Sequence, residues 1–238
     1  MSVAALRAYD RAAVVIPAHN ERADLSACLR GVVTAALCAP IPVKIVVVLD
    51  ASDDGSAELA GRYGPDVHFV RVEARNVGAA RAAGFRYARS LFETDTEWWY
   101  ATTDADSRVD PGWLVRQLGL GADMVLGVVR VADWRHHSAD LVHRYTQAYD
   151  TGNERSHEHI HGANMGFSAR AYWRVGGFRT LPSGEDVDLV ERFEAAGYCI
   201  HRDPELSVVT SARMQARAPK GFAHHLRQLG ASAAEGCA

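Results

Sequence analysis

The sequence predicts an α/β fold, a mostly parallel β-sheet flanked by helices, and three observations carry that prediction. Short β-branched runs alternate with longer segments whose apolar residues recur at three-and-four spacing. Such alternation builds βαβ units, with the sheet covered on both faces. Acids and amides gather where the strand-like runs stop, which is the end of a parallel sheet at which ligands bind.

The first run, "AAVVIP" (12–17), stops at Pro17 and breaks into the polar turn His19-Asn20-Glu21. "LSACLRGVVTAAL" (25–37) has helical spacing. "VKIVVVLD" (43–50) is a strand that runs out into Asp50, and "SAELAGRY" (56–63) reads as helical. "VHFVRV" (67–72) is the third strand; "VGAARAAGFRYARSLF" (77–92) is a helix opened by Asn76 and Gly78 and projecting Arg81, with Arg75 just before it. "EWWYATTD" (97–104) is the fourth strand. Asp110 and Pro111 then supply an N-cap and a first helical residue for "PGWLVRQLG" (111–119), before the strand "MVLGVVRV" (124–131). The second half is less regular: a histidine-rich "SHEHIHG", a glycine-rich "GANMGFSARAYWRVGGF", and a helix beginning near "GEDVDLVERFEAAG". No repeat or linker divides the chain, so one domain over 1–238 is expected.

At 238 residues and 48% hydrophobic content the chain has ample material for a core. A net charge of −3, with only Lys44 and Lys220 among 26 basic residues being lysines, gives no basic field and argues against nucleic acid. The four cysteines lack metal-ligand spacing or disulfide density, and no apolar run approaches the ~20 residues of a membrane helix. With no basic-then-apolar signal pattern at the N-terminus, a cytoplasmic protein is expected, with peripheral membrane contact still open to it.

The chemistry sits at the strand ends. Asp110 already provides the cap, so Asp104 and Asp106 are not needed for that purpose. Two carboxylates one residue apart repel each other unless a cation relieves them, and hard oxygen ligands point to Mg²⁺ or Mn²⁺ completed by phosphate oxygens. A solvated acidic turn is the bland alternative. Arg75 and Arg81 suit a diphosphate at a helix N-terminus, or a solvated helix face. Ser183 to Asp186 has the spacing of a capping box, and the same helix start suits a carboxylate acting as general base.

Taken in order, "VVIPAHNE", "VVVLDASDDGS", "RNVGAARAAG", "DADSRVDPGWL", "GANMGFSARAYWRVGGF" and "GEDVDLVERFEAAGY" resemble the inverting family 2 glycosyltransferases of GT-A fold, over roughly residues 12–213. The resemblance implies a nucleotide-sugar-binding half (1–130) and an acceptor-binding half (131–238). It implies nucleotide contacts from Ala18, Asn20, Glu21, Asp50, Arg75, Arg81 and Asp104, and a metal, Mg²⁺ or Mn²⁺, on Asp104 and Asp106. It makes Asp186 the catalytic base with Glu185 beside it, and a UDP-sugar the favoured donor, with a GDP-sugar as the alternative.

The fit has departures. Asp50 is followed by Ala51-Ser52, so Asp53 or Asp54 compete with it. Where many members carry a metal-binding histidine, Ser211 or Arg213 stands here, with His201 a weaker candidate. A Gln-x-x-Arg-Trp signature of processive polymerases is missing, which implies transfer of a single sugar. His157, His159 and His161 alternate and suit either an acceptor-side loop or a transition metal; Trp134, His136, His137 and Trp173 either line the acceptor pocket or pack.

Competing classes lack their signatures. A dinucleotide oxidoreductase needs a glycine-rich first turn, as does a sugar nucleotidyltransferase, and a nucleophile-elbow hydrolase needs Gly-x-Ser-x-Gly. A non-catalytic nucleotide-sugar-binding protein of the same fold is the rival of a different class.

Overall fold

The computed structural model describes residues 9–91, 97–131 and 159–210. Eight strands form one sheet: β1 (Arg11–Ala18), β2 (Val43–Asp50), β3 (Val67–Val72), β4 (Trp98–Thr102), β5 (Arg108–Val109), β6 (Met124–Val131), β7 (Met165–Ser168) and β8 (Ile200–Thr210), in the order β3-β2-β1-β4-β7-β6-β8-β5. The helices are α1 (Arg22–Cys38), α2 (Val77–Ser90), α3 (Trp113–Gly119), α4 (Ala169–Arg174) and α5 (Glu185–Ala195).

The first four strands in sheet order pair in parallel, as expected. Alternate residues of each strand feed opposite faces. Val14 and Ile16 of β1 pack with Leu25 and Leu29 of α1 and Trp113 of α3, whereas Ala13 and Val15 pack with Phe85 of α2 and Leu189 and Phe193 of α5. Apolar side chains on both faces explain why these strands read as unbroken apolar runs.

The rest of the sheet is mixed. β7 enters antiparallel between β4 and β6, β8 runs parallel to β6, and β5 pairs antiparallel with β8. Two sequence expectations change locally. The helix expected over 56–63 is a 3₁₀ turn, Ser56–Leu59, because Gly61 and Gly64 take φ of 77° and 91°. The helix expected from Pro111 becomes regular at Trp113, although Asp110 still supports its start by accepting a hydrogen bond from Gly112 N at 2.8 Å.

Asn164 ties α3, β6 and β8 to the segment just before β7. Fully buried, it accepts from Trp113 Nε1 at 2.8 Å and donates to the carbonyls of Val128 and Leu206 at 2.9 and 2.8 Å. Gly127 is required opposite it, since a Cβ there would lie 2.2 Å from Asn164 Nδ2. This anchor fixes the loop just before β7, and Gly162 in that loop belongs to the site described next.

Candidate active site

The carboxyl ends of β1, β2, β3 and β4 open onto one edge of the sheet, and their loops are tied together by side chains. Ser52 Oγ donates to Ala18 O at 3.1 Å and accepts from Asn20 N at 3.2 Å; Asn20 Oδ1 accepts from Asp53 N at 2.9 Å. His19 Nδ1 lies 2.7 Å from Asp50 O, and Glu21, largely buried, ends the turn as the N-cap residue of α1. Asp54 accepts from Arg22 N at 2.6 Å and from Ser56 N and Oγ, so it starts α1 and the 3₁₀ turn. Burial would raise its pKa, but these hydrogen bonds outweigh that and hold it below the usual carboxylate range.

Asp50 is 4% exposed and accepts from the backbone N–H groups of Ala74, Arg75 and Asn76, each at 2.8 Å. A carboxylate offers about four lone-pair positions, so three donors leave one open. The bonds hold Arg75 in the left-handed region, at φ 47°, with its exposed guanidinium meeting no partner among the described residues. Asn20 (φ 53°) and Ala51 (φ 49°) share that conformation, and they are the only other non-glycine residues with positive φ among the described residues. All three follow the ends of β1, β2 and β3. Left-handed backbone costs an L-residue roughly 1–2 kcal/mol, and such residues concentrate at ligand sites.

Asp104 and Asp106 follow β4. Arg81 Nη2 reaches Asp104 Oδ1 at 2.7 Å, and Arg81 Nη1 pairs with Glu185 Oε1. Enclosure by the surrounding chain pushes the Asp104 carboxyl up to about 6; Arg81 opposes the rise, and Asp106 and Glu185 add to it. The side chain still leaves 40% of its surface open, so water tempers this enclosure. Asp106 Oδ1 is 3.4 Å from Thr210 Oγ1, which brings the end of β8 to the acidic pair.

Asp186 stands at the start of α5. The capping-box alternative does not hold, because the N-cap residue is Gly184 and makes no side-chain cap bond. Asp186 Oδ2 instead accepts from Gly162 N at 2.8 Å, with Oδ1 on Val187 N at 2.9 Å. The carboxylate is thus aimed by the loop that Asn164 anchors.

Arg81 is a correction. The sequence offered it a diphosphate or a solvated helix face, but it is 2% exposed and both terminal nitrogens are committed to carboxylates. Burial alone would lower its pKa; Asp104, Glu185 and Asp186 outweigh that and raise it. His201 is also excluded as a ligand beside Asp106. It pairs with Val125 whereas Thr210 pairs with Val131, six residues further along β6, which is about 20 Å at roughly 3.3 Å per residue. Ser211, Arg213, His157, Trp134, His136 and His137 lie outside the described residues; His159 and His161 stack at 5.9 Å. Trp173 packs, its ring under Arg89 and its Nε1 3.3 Å from Tyr100 Oη. Sequence reasoning missed Gly162, whose only signal was a glycine after a histidine run.

A family model described as glycosyl transferase family 2 matches residues 13–176. Among solved structures, residues 1–349 of TarS from S. aureus in complex with UDP-GlcNAc are 12% identical, with a TM-score of 0.61 over 93% of this chain and 66% of that one. The mannosyltransferase PcManGT from Pyrobaculum calidifontis, in complex with GDP-Man and Mn²⁺, is 21% identical, with a TM-score of 0.62 over 94% of this chain and 63% of that one. The chain therefore spans less than two thirds of the length of either. At these identities the likeness is one of fold, the GT-A arrangement of sheet and helices. No curated protein matches the sequence.

Proposed function

The chain belongs to glycosyl transferase family 2, and from that premise we propose that it moves one sugar from a nucleoside-diphosphate sugar to an acceptor hydroxyl, with inversion and with a divalent metal. The observation that carries this reading is the fixed carboxylate of Asp186, linked through Glu185 and Arg81 to Asp104 at the donor side.

Asp186 takes the acceptor proton as the hydroxyl oxygen bonds to the anomeric carbon, and the bond from that carbon to the diphosphate oxygen breaks with its electron pair leaving on the nucleotide. Attack opposite the leaving group inverts the anomeric centre, and no glycosyl-enzyme forms. Arg75, exposed and held by Asp50, faces the diphosphate. The turn Ala18 to Glu21 and the remaining acceptor position of Asp50 hold the base and ribose.

The donor set fits Mg²⁺ or Mn²⁺: Asp104 and Asp106 offer hard oxygens. Among the described residues no group of three or more ligating side chains stands ready, so diphosphate oxygens and water would complete the shell. When bound, the metal neutralises charge on the departing diphosphate. UDP-sugars are the favoured donors and GDP-sugars the alternative; the two structural relatives hold one of each. Among the described residues no helix is long and apolar enough to cross a membrane.

The test is Asp186→Asn, which keeps an acceptor oxygen for Gly162 N. With a panel of UDP- and GDP-sugars and Mn²⁺, donor affinity should persist while transfer falls about 10²–10⁴-fold, the usual cost of losing a positioned base. NMR of the wild-type product should show the inverted anomer. Near-normal turnover by the variant, or a retained anomer, rules the mechanism out.

A further inference from the structure

We infer that Arg81 is a positioning residue that locks the donor side of the site to the acceptor side, holding Asp104 and Glu185 on one guanidinium so that Asp186 meets the donor at a fixed separation. The inference rests on the reaction proposed above and adds to it a residue that touches no substrate.

Burial, pairing and close packing define the role. Arg81 projects from α2, Asp104 follows β4, and Glu185 opens α5, so a single side chain joins three elements. Its side chain is 3% exposed and that of Glu185 is 7% exposed. A buried ionic cluster is weak evidence for stability, because apolar side chains of similar volume often do as well. The cluster even leaves Arg81 Nε buried without a partner among the described residues. What a guanidinium provides that an apolar side chain does not is a planar fork, fixing two carboxylates relative to each other.

Gly162 closes the circuit. A Cβ at that position would lie 2.5–2.6 Å from the Arg81 guanidinium atoms, so the loop rests directly on the fork. The N–H of the same residue donates to Asp186 Oδ2. Asp104 and the base are therefore held by one connected set: Asp104 on Arg81, Arg81 on Glu185 and under Gly162, and Asp186 both bonded to Gly162 and next to Glu185 in the chain.

Two variants test this, with donor turnover by UDP- or GDP-sugars and calorimetric binding of UDP or GDP with Mn²⁺ read side by side. Arg81→Lys keeps one charge but has no fork. Gly162→Ala keeps every carboxylate and the residue-162 N–H in the chain while placing a Cβ where the guanidinium lies. Both should bind the nucleotide within about threefold of wild type. Both should lose kcat by about 10- to 100-fold, the scale expected for an ångström-sized misplacement of reacting groups. A purely structural Arg81 would instead lower binding and turnover together, in proportion to the folded fraction measured by thermal melting. That result, or unchanged kcat in both variants, overturns the inference. If Arg81→Lys does not fold, Gly162→Ala decides alone. A wild-type chain that neither binds nucleotide nor turns over any donor overturns the proposed function and this inference with it. Normal wild-type turnover with insensitive variants overturns this inference only.

Discussion

Asp50 commits its carboxylate to three backbone donors, so in the proposed function its effect on a nucleotide runs through the loop it holds as well as through direct contact. Replacing it with Ala leaves three N–H groups without their shared acceptor and frees Arg75 from its left-handed conformation. Asp50→Ala should cost about 2–4 kcal/mol and weaken nucleoside diphosphate binding. Asp53, whose carboxylate has no partner among the described residues, should stay within about 0.5 kcal/mol on the same change. Calorimetry and thermal melts of the two variants check the ranking, and the reverse order would move base reading to Asp53. For Asp106→Ala the expectation differs in kind: an unchanged melt, with metal-dependent nucleotide binding lost in calorimetry with and without Mn²⁺. The places of Asp50 and Asp104 at strand ends were legible from sequence because each sits where an apolar run stops. Arg81 was not read correctly, because its fork is filled by Glu185, 104 positions away, and spacing along one helix carries no trace of such a partner.

At the scale of elements, close approach decides what sequence could reveal. Gly78 stands in the first turn of α2, where alanine would ordinarily favour the helix by about 1 kcal/mol. Here a Cβ would lie 2.3 Å from Arg179 O and 3.1 Å from the Cβ of Glu185, so overpacking of about 1–3 kcal/mol should exceed that gain. Gly78→Ala should therefore lower the denaturation midpoint, whereas Gly119→Ala, at the end of α3 with nothing within 4 Å, should leave it unchanged or raise it. Equal responses in urea unfolding would remove the argument that α2 is pressed against the segment leading to α5. The strands β1, β2, β4 and β6 were plain in the sequence because burial on both faces makes long apolar runs, whereas β3, a half-buried edge strand, was read from its β-branched and aromatic residues. β5 is two residues and β7 four, too short for any period, and β8 carries Pro204 and a register shift against Gly127 and Val128. Their places come from pairings such as Trp99 with Ser168, and no local pattern encodes a partner so far away.

For the molecule as a whole, acid stability and ligand binding report on the assembled fold. Asp203, nearly buried in β8, pairs with Arg116 of α3; burial would raise its pKa, but the bonds from Arg116 and from Glu205 N outweigh that and lower it below 3.8. Its folded value is thus the lower one, so the stabilisation is complete above about 4 and is lost as pH falls through the depressed value. Asp54 is shifted the same way. Thermal melts of wild type should drop steeply below pH 4, and Asp203→Asn should melt lower at pH 6 yet lose less on acidification. Parallel curves would deny the pair its role. Ligand binding provides the last expectation. Under the proposed function a nucleoside diphosphate sugar binds the folded chain alone, so at about 100 times its Kd it should add roughly 2.7 kcal/mol. For a chain of 238 residues that is a rise in Tm of about 5–10 °C. The rise should need Mn²⁺ or Mg²⁺ and should be absent for nucleoside monophosphates at equal concentration, since these lack the second phosphate that the proposed function assigns to Arg75 and the metal. A UDP-sugar should shift the melt more than its GDP counterpart; the opposite ranking would reassign the donor base, and equal shifts with and without metal would remove Asp104 and Asp106 from donor binding.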